Sequence, residues 1–258
     1  MLGVEVVEYR AFDSCEALTH VECGKLEIIK FQAFGNCTSL GSIDLPSARI
    51  VEGNAFNYCE ALTDVKFGTE LEIIEGAAFC FCHSLERITI PLKDGILAAA
   101  ILFIGCENLK HVDLVEGPIH ETIAALQLEE WRNDMNEEID SINQILPTSS
   151  AGRWGHDVGD KARVIRTWIR SVIGKIIHYK ARHQRYLNEE IATTLQLALP
   201  RDIVMNNVLP FLELSSYTFE LEDEEEKEEG DDDNGRRDVT IWRRWLICLA
   251  EFLMKHVF

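Results

Sequence analysis

The fold is decided by the stretch Ala55-Phe56-Asn57-Tyr58-Cys59, because its pattern recurs along the first half of the chain. An Ala-Phe pair returns every 22 to 24 residues, and a Cys stands three residues after each Phe. The pairs are Ala11-Phe12, Ala33-Phe34, Ala55-Phe56 and Ala78-Phe79, with Leu102-Phe103 as a variant. The cysteines are Cys15, Cys37, Cys59, Cys82 and Cys106. A period of this length indicates a stack of small structural units.

Each unit carries further apolar residues after its Cys. A Leu follows after three residues, at Leu18, Leu40, Leu62, Leu85 and Leu109. A β-branched residue follows three residues later, at Val21, Ile43, Val65, Ile88 and Val112. One unit cannot bury its own apolar face, whereas stacked units place like residues above each other at a strand spacing of about 4.8 Å. We therefore predict a continuous core, with Phe on Phe and Cys on Cys, and one short strand per unit in a parallel sheet. A second apolar step, as at Ile28, Ile50 and Ile73, is expected to line the back of each coil.

The repeated pattern reads Leu-x-x-Ile-x-Leu-Pro and then Ala-Phe-x-x-Cys, as in Leu40 to Pro46 and Ala55 to Cys59. In these residues the chain resembles the BspA-like class of leucine-rich repeats, over residues 4–115. The resemblance implies an α/β leucine-rich-repeat solenoid, a curved coil around a parallel β-sheet, that binds a protein and has no catalytic residues. The last unit departs from the pattern, since Ile96 to Ile104 is Ala-rich, and we expect a distorted or capping coil there.

The first unit enters the pattern in its middle, at Gly3 to Glu8, without a polar capping unit. Solenoids need polar end caps to stay soluble. The sequence leaves two hypotheses: further repeats precede these residues, or the open end pairs with another surface.

A polar strip is predicted between the buried positions of each unit. Alternation along a strand points these side chains away from the core, and we expect them on the concave face. The strip consists of His20, Glu22, Ser42, Asp44, Asp64, Lys66, Arg87, Thr89, His111 and Asp113. Mixed polar side chains suit contact with a protein partner. They also suit a solvated face, because charged rims contribute little to affinity.

The cysteines of the repeat are predicted to be inert core residues, since buried thiols behave as small apolar groups. The sequence Cys80-Phe81-Cys82-His83 has a metal-like spacing, but Cys82 belongs to the repeat and Cys80 takes a turn position. No second Cys pair stands at zinc spacing. No phosphate loop, dinucleotide fingerprint or Gly-x-Ser-x-Gly motif is present either. We therefore expect no metal, no cofactor and no enzyme activity.

The overall charge and hydrophobicity of the chain limit which binding partners and cellular compartments are expected. A net charge of −19 argues against indiscriminate binding to nucleic acid or anionic membrane. No cationic segment and apolar run open the chain, and no apolar stretch reaches the ~18–20 residues of a membrane span. We expect a cytoplasmic protein with reduced thiols, the nucleus being left open.

After Gly117-Pro118 the apolar spacing becomes helical. One amphipathic helix is predicted over residues 123–146, a Gly/Ser-rich loop over 148–159, and a second helix over about 160–197. A third apolar segment covers 199–214. These helices are expected to pack on each other and over the last coil. The runs His178 to His183 and Met205 to Leu214 are similar to the tail behind such repeats in uncharacterised diatom proteins, which implies no function.

The predicted division is therefore 1–117 solenoid, 118–216 helical region, 217–238 acidic disordered linker and 239–258 amphipathic terminal helix. The second helix is basic over 161–185, whereas Glu220 to Asp233 holds eleven acids and one Lys. This suggests an alternative function in which the basic helix binds nucleic acid or another anion and the acidic segment competes for it. The same basic residues also suit the solvated face of a core helix. The terminal helix is expected to dock on the helical region, or to make peripheral membrane contact through 241–258.

Overall fold

The computed structural model describes residues 3–99, 101–147, 161–196, 201–211, 214 and 218–221. Residues 4–115 form a solenoid of five coils. The coils cover 4–25, 26–47, 48–70, 71–93 and 94–115. Each coil passes through two parallel sheets, which lie along the solenoid as a front sheet and a back sheet.

The back sheet has the strand order β1-β2-β4-β6, and all its strands are two residues long. They are Val6–Val7 (β1), Ile28–Ile29 (β2), Ile50–Val51 (β4) and Ile73–Ile74 (β6). A bridge from Ile74 to Leu97 extends the sheet to the fifth coil. The prediction of one strand per unit was therefore wrong. The second apolar step is made of β-branched residues, which favour extended backbone and pair between coils.

The front sheet has the strand order β3-β5-β7-β8. Its strands are Ser42–Leu45 (β3), Asp64–Phe67 (β5), Arg87–Ile90 (β7) and His111–Leu114 (β8). A bridge from Glu22 to Asp44 extends the sheet to the first coil. Every second residue of these strands is buried, so the strands present alternate residues to the core and away from it.

A ladder of phenylalanine rings runs through the core between the two sheets. Ring centroids are 5.3 Å apart for Phe12 and Phe34, 5.3 Å for Phe34 and Phe56, and 5.4 Å for Phe56 and Phe79. Phe103 continues the stack at 6.0 Å from Phe79. The ring planes are nearly parallel, and the three central rings are fully buried. The predicted stacking of Phe on Phe is confirmed.

Two tight corners flank the Phe of each of the first four coils, where residues other than glycine take a positive φ. The first corner precedes the Ala-Phe pair and lies at Arg10, Gln32, Asn54 and Ala77, with φ between 54° and 59°. The second precedes the Cys and lies at Ser14, Asn36, Tyr58 and Phe81, with φ between 57° and 61°. L-residues pay a conformational cost at such angles. The stack favours them because corner residues donate their amides to the residue before the equivalent corner of the next coil, as Asn36 does to the Asn57 carbonyl.

The first predicted helix is two helices, Pro118–Ala125 (α1) and Glu129–Ile145 (α2). The backbone is extended at Leu126 and at Leu128. Leu126 is buried, and its carbonyl accepts a hydrogen bond from the Arg132 side chain. The spacing of the apolar residues therefore stays helical through residues 126–128, although the backbone there leaves the helical conformation.

The second predicted helix begins at Lys161 within the described residues. It comprises Lys161–Tyr186 (α3), a π-helical turn at Leu187–Ile191 and a further segment at Ala192–Gln196 (α4). Short helical turns follow at Arg201–Ile203 (α5), Val204–Val208 and Leu209–Phe211. The predicted loop at 148–159 lies outside the described residues.

Helices α2 and α3 pack on each other and share one apolar core with the solenoid. The Trp168 Nε1 donates to the Glu138 carbonyl at 3.0 Å, and the ring of Trp131 stacks on Tyr179 at 5.5 Å. The described residues all belong to one compact unit. The predicted terminal helix, and most of the acidic linker, lie outside the described residues.

Candidate functional site

The ten residues of the polar strip lie in two rows across the front sheet. Strand register places Ser42, Asp64, Arg87 and His111 side by side in one row, and Asp44, Lys66, Thr89 and Asp113 in the other. The bridge to Asp44 adds Glu22 to the second row, and His20 precedes it by two residues. Strand alternation thus brings the predicted residues together on one surface.

The strip is not uniform along the solenoid. On the first three coils its side chains are exposed except for Asp64, whereas Arg87, Thr89 and Asp113 farther along are half-buried. Arg87 and Asp113 form an ion pair across the two rows. The Oδ1 atom of Asp64 is enclosed and has no hydrogen-bond partner among the described residues. The first three coils therefore present most of the accessible polar groups.

Several outward charges beside the back-sheet strands, in contrast, have partners within the chain. Lys30 pairs with Glu52 at 3.0 Å, and Arg49 pairs with Glu72 at 2.7 Å. Glu75 accepts a hydrogen bond from the backbone amide of Gly53 at 3.1 Å. Charges on this face thus link one coil to the next, as cross-strand pairs do in other sheets.

The cysteine ladder does more than fill space. From the second coil onwards, each thiol of the ladder donates a hydrogen bond to the carbonyl oxygen of the Phe one coil earlier, as Cys59 does to Phe34 at 3.2 Å and Cys82 does to Phe56 at 3.1 Å. Cys37 and Cys106 repeat the contact. The sequence predicted the burial of these thiols but not the bonds, because a period identifies stacked positions and not their donors.

Burial holds these thiols in the protonated form. It raises the pKa of Cys37 to about 11 and the pKa of Cys23 to about 11, and it also raises the pKa of Cys59 and Cys82. A thiolate would lose solvation in this core, so the ladder is poorly suited to nucleophilic chemistry.

The metal-like spacing at Cys80 to His83 does not form a ligand set. The Cys80 thiol donates to the Ile101 carbonyl at 2.9 Å, and His83 lies 3.1 Å from a carboxylate oxygen of Glu107 on the surface. In the parts of the chain that the structure describes, no three His, Cys, Asp or Glu residues are grouped as a metal site.

Helices α2 and α3 form an end cap over the fifth coil. Lys161, at the start of α3, is the most buried lysine or arginine of this end cap. Its Nζ donates to the carbonyl oxygens of Cys106 at 2.7 Å, Glu107 at 3.3 Å and Leu109 at 2.8 Å. In the third coil, the carbonyl of Glu60, which corresponds to Glu107, accepts a hydrogen bond from the backbone amide of Ser84 in the fourth coil. The ammonium therefore takes the place of amide donors that a sixth coil would provide. Burial lowers the pKa of Lys161.

Other side chains of the end cap bond to both sheets at the same end. Arg166 donates to the carbonyl of Leu97, which closes the back sheet. The side-chain oxygen of Asn143 accepts from the amide of Val112 in β8, which closes the front sheet. Arg170 donates to both carboxylate oxygens of the buried Asp94 at 3.1 Å. These contacts occupy part of the edge of each sheet, where strand addition could otherwise occur.

Six copies of the BspA type leucine rich repeat region match residues 5–123. This part of the chain belongs to the BspA-type leucine-rich repeats. The BspA-type region covers all five coils and ends within α1, so the expected family and solenoid fold are confirmed. The helices that follow lie outside the match. The comparisons with curated proteins and with solved structures found no match.

The basic helix behind the BspA-type region uses much of its charge inside the molecule. Besides the three cations of the end cap, Lys175 pairs with Asp134 at 3.0 Å and with Glu138 at 3.1 Å. Arg182 lies 5.0 Å from the centre of the Trp131 ring. The helix is a core helix, since its apolar residues are buried, but its basic side is not simply solvated, because these cations contact the rest of the molecule. The sequence signal for these docking contacts was a basic residue next to an apolar position of the helix, such as Lys161 next to Ala162.

Proteins built on BspA-type and other leucine-rich-repeat solenoids are typically non-catalytic scaffolds for protein interaction. Within the described ranges no helix is both long and apolar enough to cross a membrane.

Proposed function

We propose that the polar strip of the front sheet is the surface on which this protein binds a protein partner, and that this surface is the concave face of the solenoid. The observation that carries the proposal is the contrast between the sheets. Several outward charges beside the back-sheet strands are joined in pairs between coils, such as Lys30 with Glu52. The strip on the first three coils holds exposed polar side chains in two aligned rows.

The repeat architecture supports this proposal. Each coil adds one strand to the front sheet, and each strand adds one residue to each of the two rows. The strip therefore becomes an extended surface as coils are added. The end cap leaves this surface accessible on the first three coils, where Glu22, Asp44 and Lys66 are exposed. A partner that spans several coils could contact both rows at once.

The strip is tested by affinity capture from a lysate, followed by quantitative mass spectrometry. The variant reverses four charges of the strip, with Asp44→Lys, Asp64→Lys, Arg87→Glu and Asp113→Lys. The matched control reverses three charges of the back sheet, with Glu27→Arg, Arg49→Glu and Glu72→Arg. This control retains the attraction between Arg49 and its two neighbours with the signs exchanged.

We expect a protein that the wild-type chain and the control retain and the strip variant loses. That protein is then purified, and its affinity for each variant is measured directly. Identical capture by all three chains would move the function away from the front sheet. Circular dichroism of each variant separates loss of binding from loss of folding.

Anion binding by residues 161–185 is the weaker proposal. The contacts of Lys161, Arg166 and Arg170 with the fifth coil support a docking role for these cations. The proposed competition by the acidic segment rests on residues outside the described part of the chain.

A further inference from the structure

The first coil has an open edge, which is the side of β1 and of the following corner that faces away from the second coil. In the second coil, the amides of Ile28 and Lys30 donate to carbonyl oxygens of the first coil. The equivalent amides of Val6 and Glu8 have no acceptor among the described residues. Within the described chain, β1 is thus paired on one side only, with β2.

The corner that follows β1 is open in the same way. The carbonyl of Ala33 in the second coil accepts the amide of Phe12, whereas no amide of the described residues reaches the equivalent carbonyl of Ala11. Apolar side chains lie at this edge as well. Val6 is 36% exposed and Tyr9 is 56% exposed, and Phe12 is only half-buried, while the next three rings of the ladder are fully buried. Unpaired backbone groups beside exposed apolar surface favour association with another chain.

The other end of the solenoid cannot supply the partner for this edge in a second copy. Helices α2 and α3 cover the fifth coil, and Lys161 and Arg166 already occupy carbonyl oxygens on its outer side. Two copies therefore cannot stack head to tail. If solenoid ends join, the two open edges must face each other, and a contact of this kind is related by a two-fold axis and closes after two copies.

We propose that the open edge binds the open edge of a second copy of this chain, with β1 antiparallel to the β1 of the partner and the two Val6 residues opposite each other. The carbonyls of Glu5 and Val7 accept amides from the second coil, so the N–H and C=O of Val6 between them point the other way. The two Val6 residues can therefore exchange both hydrogen bonds, as directly opposite residues do in antiparallel sheets. The coil-to-coil pairing of the back sheet then continues from one copy into the next.

The charges near β1 are compatible with this register. The partner's Val4 lies opposite Glu8, and the partner's Val7 lies opposite Glu5, so no two carboxylates are directly across from each other. The net charge of −19 on each chain still repels the two copies at long range. Association should therefore strengthen as salt screens this repulsion, whereas a contact built on ion pairs would weaken.

The experiment measures self-association of the full chain by sedimentation velocity, across a wide range of concentration and at low and high salt. Hydrogen exchange of the peptide that covers residues 3–9 reports whether β1 is covered. Val6→Pro removes the amide that points to the partner, a change that edge strands tolerate. Val6→Lys keeps this amide and places two lysines opposite each other. The control Ile73→Lys changes the equivalent position of β6, three coils away.

We expect a monomer–dimer equilibrium that shifts to the dimer at high salt, with slower exchange of residues 3–9 in the dimer. Both Val6 variants should raise the dissociation constant at least roughly tenfold, because reciprocal backbone bonds and an apolar contact are lost. Ile73→Lys should leave the dissociation constant unchanged. Circular dichroism verifies the fold of each variant, and Val6→Lys decides the outcome if Val6→Pro disturbs the first coil.

A chain that stays monomeric throughout would overturn the inference. So would a dimer that survives Val6→Lys, because its contact would lie elsewhere. Protection of residues 3–9 that is independent of concentration would also contradict it, since a segment of the same chain would then cover the open edge.

Discussion

The thiol of Cys59 donates a hydrogen bond to the carbonyl oxygen of Phe34, one coil earlier, with 3.2 Å between sulfur and oxygen. The same contact recurs between Cys82 and Phe56 at 3.1 Å. Cysteine is therefore suited to this position because it is small enough for the core and still supplies a weak donor.

Replacement of Cys59 by Ala should lower the free energy of unfolding by about 1–3 kcal/mol, because it removes a buried donor and leaves space beside the Phe ladder. The matched control is Cys15→Ala in the first coil, whose thiol is exposed; it should change the free energy by less than about 0.5 kcal/mol. Urea denaturation of both variants measures the difference. Equal effects would show that burial and bonding of the ladder do not contribute.

The raised pKa values of the buried thiols predict a loss of stability in alkaline solution. Cys23 and Cys37 have pKa values of about 11 in the folded chain, against 9.0 for an ordinary thiol. Between these values the folded chain holds protons that the unfolded chain has released, so stability is full below about pH 9 and falls as the pH rises towards 11. Each such thiol lowers the free energy of unfolding by about 1.4 kcal/mol per pH unit in this window.

Urea midpoints measured from about pH 8 to about pH 10 test this slope. A Cys23→Ala/Cys37→Ala variant serves as the comparison, since both thiols are buried. It should be less stable at neutral pH and should lose stability less steeply with pH. A variant curve parallel to that of the wild type would assign the alkaline loss to other groups.

Ala77 takes a left-handed conformation, with φ 59°, at the corner before Phe79. Glycine adopts this conformation without the steric cost that a Cβ atom brings. Ala77→Gly should therefore raise the free energy of unfolding by about 0.5–1 kcal/mol. The neighbouring Ala78 is equally buried but has no positive φ, and Ala78→Gly should lower stability by about 1 kcal/mol. Thermal denaturation of the pair compares them, and a loss in both variants would contradict the strain at Ala77.

The hydrogen bonds of Lys161 are expected to contribute to the attachment of the end cap to the fifth coil. Lys161→Met keeps the apolar stem but removes the donor to three carbonyl oxygens, and should cost on the order of 3 kcal/mol. Lys110→Met provides the control, since this lysine lies exposed on the same coil. Limited proteolysis followed by mass spectrometry should show earlier cleavage around the fifth coil in the first variant alone. Unaltered cleavage would mean that apolar packing is sufficient to hold the cap.

Much of the solenoid could be predicted from sequence because its information repeats. The positions of Phe56, Cys59 and Leu62 are each restated in the other coils, so five copies support every assignment. The strands of the back sheet could not be predicted, since two residues such as Ile28–Ile29 form no alternation that a pattern could reveal. They exist because neighbouring coils hold them in place.

The helical region was less predictable, for physical reasons that differ between its elements. The break at Leu126 and Leu128 was missed because both residues continue the apolar spacing of a helix. The bonds of Lys161 join residues more than 50 positions apart, and no local pattern carries such a pairing. The residues of the polar strip follow from strand alternation, whereas their binding partner stays a prediction.

The end cap also has a consequence for how this architecture can change in length. Lys161, Arg166 and Asn143 bond to backbone groups of the fifth coil, and the earlier coils present backbone groups in the same way to the coil that follows. A duplication or deletion of a whole unit farther from the cap would leave that junction untouched. Removal of residues 33–54, for example, would join Gln32 to Ala55-Phe56 and restore the motif without a seam. The helices thus act as a fixed terminus for a modular array, and the array can gain or lose modules while its ending is inherited intact.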